Sequence, residues 1–162
     1  MRRPVSVVAV AIVVLLACST IAGAARSSQR VIKLLSKTTS TNVVRDKRPS
    51  GASAGDAIAG GSLLRNAVPQ FGKGKGAIVG GDRWRIVLNS ATAGVMTVTV
   101  KLPGGTTSAQ GTISVSRDTV TLRIKGGSGA YARANGVCSG TKAPTNAFGA
   151  DSLNTYRLTV PA

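Results

Sequence analysis

Very few side chains in this sequence can carry out acid–base or nucleophilic chemistry. The chain has 162 residues, no histidine and only five acidic residues, all of them aspartates. Without histidine there is no Ser-His or Cys-His pair, and metal sites built on histidine or on several cysteines are absent as well. The sequence therefore predicts no metal and no cofactor, and it assigns no catalytic residue.

The aspartates differ in how much their surroundings suggest a site. Asp118 lies in a short reversal, Asp46 in a basic loop, and Asp82 between glycines and Arg83. Asp56 is the strongest candidate because it begins a predicted strand, where it could face a ligand. The competing interpretation is a hydrogen bond within a turn or at a strand end, a common role of aspartate.

The N-terminus has the pattern of a secretory signal peptide. A short basic start is followed by an apolar run over 5–17 and by small residues up to Ala25. The run is shorter than the roughly 20 apolar residues of a spanning helix. We therefore predict a cleaved signal peptide over residues 1–25 and a secreted or extracytoplasmic protein. Lipoprotein processing at Cys18 fits less well, because leucine stands just before Ala17.

If the signal peptide is removed, Cys138 is the one cysteine that remains. A single cysteine cannot form an internal disulfide, so the fold must depend on its own core. We expect Cys138 to be a small buried residue, because a reactive thiol usually has a basic or histidine neighbour.

The chain is strongly basic. Its net charge is +16, and it is still +14 once Arg2 and Arg3 leave with the signal peptide. Such a charge favours anionic partners, such as cell-wall polymers, lipid headgroups or nucleic acid. The alternative is that the charge reflects solubility and composition bias. Nothing in the sequence indicates a specific nucleic-acid partner.

Apolar and polar residues alternate through most of the chain. Trp84, Ile86 and Leu88 share one face of a segment whose other face carries Arg83 and Arg85. Period-two alternation is typical of a half-buried strand. The same pattern recurs at short intervals, so about eight strands are expected, in an antiparallel sandwich or barrel. We place a mobile lead-in at residues 26–30 and one β domain at 31–162.

Two glycine motifs within this pattern resemble a known superfamily. The segments read LPGGTTSAQG over 102–111 and IKGGSGAYARANG over 124–136. Their order and spacing are similar to those of the allene oxide cyclase and dirigent barrel superfamily, and Gly55-Asp56 matches its "GD" dipeptide. The motif residues are Leu102, Pro103, Gly104, Gly105, Gln110, Gly111, Gly126, Gly127, Gly129, Tyr131 and Gly136.

The resemblance implies a single eight-stranded antiparallel β-barrel with an apolar cavity, trimeric in many plant members. The family's cyclases close a ring in a fatty-acid epoxide, and its dirigent proteins steer the coupling of phenoxy radicals; neither uses a metal. Those cyclases are thought to use a glutamate, which this chain lacks. Thr107 also stands where the family usually has isoleucine. The motif residues have structural roles in turns and strand crossings.

Three functional hypotheses follow, and the barrel interior separates them. The first is a non-catalytic secreted barrel that binds a small apolar or aromatic ligand. The second is a cofactor-free cyclase, or a dirigent-type protein. An open cavity containing an aspartate would favour the second, and a filled interior would exclude both. The candidate ligand-binding residues are Trp84, Ile86, Met96, Val98, Tyr131 and Asp56.

The third hypothesis is a basic module that binds an anionic cell-surface polymer. Its candidate residues are Arg85, Lys101, Arg123, Lys125 and Arg157.

Overall fold

The fold is a closed β-barrel. The computed structural model describes residues 27–47, 50–114, 116–145 and 147–161. Sequence neighbours pair antiparallel throughout, and the first strand pairs with the last, which confirms the predicted eight-stranded barrel. The strands are β1 (Ser27–Arg45), β2 (Ala57–Asn66), β3 (Ile78–Leu88), β4 (Ala93–Leu102), β5 (Gly105–Ser114), β6 (Thr119–Gly129), β7 (Asn135–Lys142) and β8 (Ser152–Pro161).

The predicted signal peptide and Cys18 lie outside the described residues. Within the described ranges there is no helix with the length and apolarity that crossing a membrane requires.

Strand β1 closes the barrel. It is 19 residues long, and residues 27–36 pair with β8 while residues 34–45 pair with β2. The sequence left open whether this region was one strand or a pair, and the structure has one continuous strand. The sequence assigned residues 27–30 to a mobile lead-in. In the structure they are the first residues of β1 and pair with β8.

The interior is apolar and densely filled at one end. Leu34, Leu64 and Val100 have no exposed surface, and they lie among the other inward side chains of the core. Strands β2, β4 and β6 end at this closed end of the barrel. The exposed outward positions of β4 and β6 carry threonine, lysine and arginine, as the alternation predicted.

The two glycine motifs meet at the closed end. In the register of β5 and β6, Gly105 pairs with Gly129, and a Cβ on Gly105 would collide with the Ser128 carbonyl. The buried Tyr131 donates a hydrogen bond from its hydroxyl to the Pro103 carbonyl over 3.1 Å. These motifs therefore build the end of the barrel that is filled.

A second close approach involves the tryptophan. Gly60 on β2 pairs with Trp84 on β3, and a Cβ on Gly60 would overlap the six-membered ring of the indole and the Ser40 carbonyl. The absence of a side chain at Gly60 is therefore what lets Trp84 occupy its place inside the barrel.

We expect Gly60→Ala to destabilise the protein by about 1–3 kcal/mol, because the added methyl group forces Trp84 and β1 to shift. Denaturant unfolding, followed by the fluorescence of this single tryptophan, measures the loss of stability and also reports the altered environment of the indole ring. Gly61→Ala is the matched control, since its Cβ would meet its nearest atom, the Asp82 carbonyl oxygen, at 3.1 Å. Equal stability of the two variants would contradict this account.

Candidate functional site

The other end of the barrel interior is an open cavity. Its volume is about 450 Å³, and its wall is formed by inward side chains of β1–β4 and β6–β8 together with residues from two loops. The apolar part of the wall consists of Trp84, Met96, Val98, Val120 and Leu122. The polar part includes Ser36, Ser62, Asp82, Cys138, Asn154 and Tyr156.

Asp82 places a carboxyl group inside this cavity. It lies on β3 two residues before Trp84, and therefore points to the same side of the strand. Its Oδ1 atom is buried and has no hydrogen-bond partner among the described residues. Burial raises the pKa of Asp82, and the neighbouring Ser62, its partner across the β2–β3 ladder, opposes that rise. A carboxyl group held this way is easier to protonate than an ordinary aspartate.

Two further titratable groups share the interior with Asp82. Cys138 and Tyr156 pair in the β7–β8 ladder. Burial raises the pKa of Cys138 to about 11, against the lowering effect of the Tyr156 hydroxyl. Burial also raises the pKa of Tyr156, and the charges of Cys138 and Asp82 add to that rise. Both groups are therefore neutral near pH 7, so Cys138 is a poor nucleophile and Tyr156 is a hydrogen-bond donor.

The mouth of the cavity carries two more carboxylates. Asp118 and Asp151 line it, with Lys142 as a nearby cation. The Thr38 amide donates to Asp151 over 2.7 Å and the Lys37 ammonium over 3.1 Å. The pKa of Asp151 is lowered, chiefly by the Thr38 amide. Asp151 is thus a fixed anion that ties β8 to β1.

Within the ranges that the structure describes, cysteine and aspartate side chains do not come together in the groups of three or more that could hold an ion.

The residues predicted from sequence fall in different places. Trp84, Met96 and Val98 line the cavity. Ile86 lies further along β3, where it packs against the core without lining the cavity. Tyr131 is buried at the closed end, where its hydroxyl binds the Pro103 carbonyl.

Asp56 lies outside the cavity. Its Oδ1 accepts the Lys47 amide over 2.7 Å, and its Oδ2 accepts the Ser53 amide over 2.8 Å. These bonds lower the pKa of Asp56, the bond from Lys47 most of all. The carboxylate therefore organises the loop between β1 and β2, which is the turn role that the sequence analysis weighed against a ligand site.

The cavity aspartate is the residue that sequence reasoning passed over. Asp82 directly follows Gly80 and Gly81, and β3 continues through all three residues. The sequence signal that could have identified Asp82 is the two-residue alternation of the strand, which places Asp82, Trp84 and Ile86 on one face.

No protein-family model matches the chain, and no curated protein matches it in sequence. Solved structures do match. A pyocyanin demethylase superposes with a TM-score of 0.63 at 21% identity, over 80% of this chain and 99% of that one.

Two other similar structures are described by different reactions. The exo-specific intermolecular Diels-Alderase AbnU matches with a TM-score of 0.62 at 11% identity, over 83% of this chain and 98% of that one. The pterocarpan synthase dirigent protein GePTS1 matches with a TM-score of 0.58 at 16% identity, over 84% and 88%. What this chain shares with all three is the fold, and that fold is the barrel of the dirigent proteins that its glycine motifs resemble.

Proposed function

We propose that the cavity binds a small apolar or aromatic molecule and that the protein is a cofactor-free cyclase or isomerase acting on it. The observation that carries the proposal is the Asp82 carboxyl group, which shares the cavity with the apolar side chains of Trp84 and Met96 and has a buried oxygen atom without a partner among the described residues. Unpaired buried polar atoms are costly for stability, and they are common where a ligand supplies the missing bond.

Ligand binding is supported by the size and the wall of the cavity. Its volume of about 450 Å³ lies within the usual range of small-molecule sites. Trp84 and Met96 offer an aromatic face and a flexible thioether on adjacent strands. Such a wall suits a flat or branched hydrocarbon skeleton, and it leaves Asp82 and Tyr156 to orient a polar atom.

Ring closure of an unsaturated carbonyl compound is the reaction class that these groups suit best. Such a closure redistributes bonds among the reacting carbons and consumes no oxidant or reductant. Protonated Asp82 would donate a hydrogen bond to the carbonyl oxygen, where negative charge grows as the ring forms, and would keep its proton afterwards. The Tyr156 hydroxyl is a second donor. Donors fixed in a site with little water stabilise such charge strongly.

The similar structures support the same reaction class. One is described as an intermolecular Diels-Alderase, and another as a nonspecific heme-binding cyclase that catalyses a [4 + 2] cycloaddition. Both match this chain over 83% of its length, and the match covers 65% of the second structure's chain. The proposal therefore places a ring-forming reaction in a barrel of the kind that hosts such reactions elsewhere.

The proposal is tested by screening polyene carbonyl compounds for products whose mass equals the summed mass of the reactants, and then by assaying Asp82→Val. We expect turnover to fall by about 10²–10³-fold, because one donor to the developing oxyanion is removed. Ligand affinity, measured by quenching of Trp84, should change far less. Asp46→Val, which removes an exposed loop carboxylate, is the matched control.

Two results would count against the proposal. Full turnover by Asp82→Val, which has no donor at this position, would remove Asp82 from the chemistry. Tight ligand binding without any isomeric product from wild type would favour a non-catalytic binding protein.

The raised pKa of Asp82 also predicts how stability depends on pH. Between the ordinary aspartate pKa of 3.8 and the higher pKa of Asp82 in the folded state, the folded state holds a proton that the unfolded state has lost. Stability therefore falls as pH rises through that window, and Asp82→Asn should not show this component. In denaturant unfolding at about pH 8, above the unfolded pKa, we expect the variant to be more stable than wild type. A less stable variant would show that the carboxylate is well solvated or paired.

A further inference from the structure

The outer wall of the barrel, defined as the outward positions of β3–β8, carries basic side chains and no acidic ones. It carries six exposed cations: Arg83, Arg85, Lys101, Arg123, Lys125 and Arg157. None of the five aspartates lies on it. Asp82 points into the barrel, and the other four lie in the loops of the open end. The ion pair that the structure records among the described residues, Lys37 with Asp151, is also at that end. The cations of the outer wall are therefore free to bind anions.

Part of this charge is arranged as a row around the barrel. The strand registers place Arg85, Thr97, Gln110, Arg123, Val137 and Arg157 side by side from β3 to β8. Neighbouring strands are about 4.8 Å apart, so Arg123 lies about 14 Å from Arg85 and about 10 Å from Arg157 along the sheet. The row follows the curvature of the barrel.

Two surface grooves lie on the same wall, and each contains a pair of cations. One, of about 480 Å³, is lined by Arg123 and Lys125 with Gln110, Thr112 and Thr121. The other, of about 380 Å³, is lined by Arg83 and Lys101 with Thr99 and Thr106, and by Gly81 and Asp82, a residue that also lines the cavity inside the barrel. Each groove thus pairs two positive charges with neutral hydroxyl donors, a set that suits the oxygens of a tetrahedral anion.

We propose that the outer wall binds a linear phosphate polymer along the grooves and the arginine row. Arginine presents a planar fork of donors that fits phosphate oxygens. A flexible chain can follow the convex wall through successive strands, whereas a flat bilayer would touch only a few of the six cations. The described outward positions of β3–β8 hold no aromatic residue, so there is no platform for nucleobase stacking. The surface is separate from the cavity and independent of its reaction.

The test uses long-chain inorganic polyphosphate as the probe and compares two triple variants of equal charge. The wall variant carries Arg85→Gln, Arg123→Gln and Arg157→Gln. The control carries Lys75→Gln, Arg117→Gln and Arg133→Gln, which are exposed cations in loops. We expect wild type to bind at about 0.15 M salt. The wall variant should lose at least about tenfold in affinity. A plot of the logarithm of its binding constant against the logarithm of salt concentration should have a slope shallower by about 2.

The control variant should keep its affinity within about twofold, since its charges are not on the wall. Circular dichroism checks that both variants are folded. Absence of polyphosphate binding by wild type would overturn the proposal. So would equal losses in the two variants, because net charge alone would then explain binding. Tighter binding to anionic phospholipid vesicles or to single-stranded DNA than to polyphosphate would also overturn it.

Discussion

The pairing of β1 with both β2 and β8 is the constraint on which the rest of the molecule depends. It turns an open antiparallel sheet into a barrel without edges, and it gives every strand an inside and an outside. Because side chains alternate along a strand, one sequence pattern then specifies two surfaces at once. The inward set builds the core and the cavity, and the outward set builds the basic wall.

The interior is divided along the barrel axis. Large aliphatic residues and Tyr131 fill the closed end. At the open end, small and polar inward residues such as Ser36, Ser62 and Gly140 leave the space unfilled. A carboxyl group in that space costs stability, because burial disfavours its charged form. Its presence at the open end is the observation on which the proposed function rests.

The general architecture was predictable because it depends on local patterns. Alternation located the strands, and the two glycine motifs, which pair with each other across β5 and β6, indicated this type of barrel. The residues of the candidate site were harder to predict from the sequence. The sequence favoured Asp56 over Asp82 because Asp56 begins a predicted strand, although backbone amides bind the Asp56 carboxylate. The shape of the interior depends on which small residues lie beside large ones on neighbouring strands, such as Gly60 beside Trp84. That information lies in long-range register rather than in local sequence.

The central claim is that the cavity holds an acid whose proton is retained more strongly than usual. An NMR titration of the aspartate side-chain carboxyl carbons, with Asp82 assigned by comparison with Asp82→Asn, tests it directly. We predict that the Asp82 signal titrates above the ordinary aspartate value, 3.8, whereas those of Asp56 and Asp151 titrate below it. An Asp82 signal that titrates at or below the ordinary value would contradict the account.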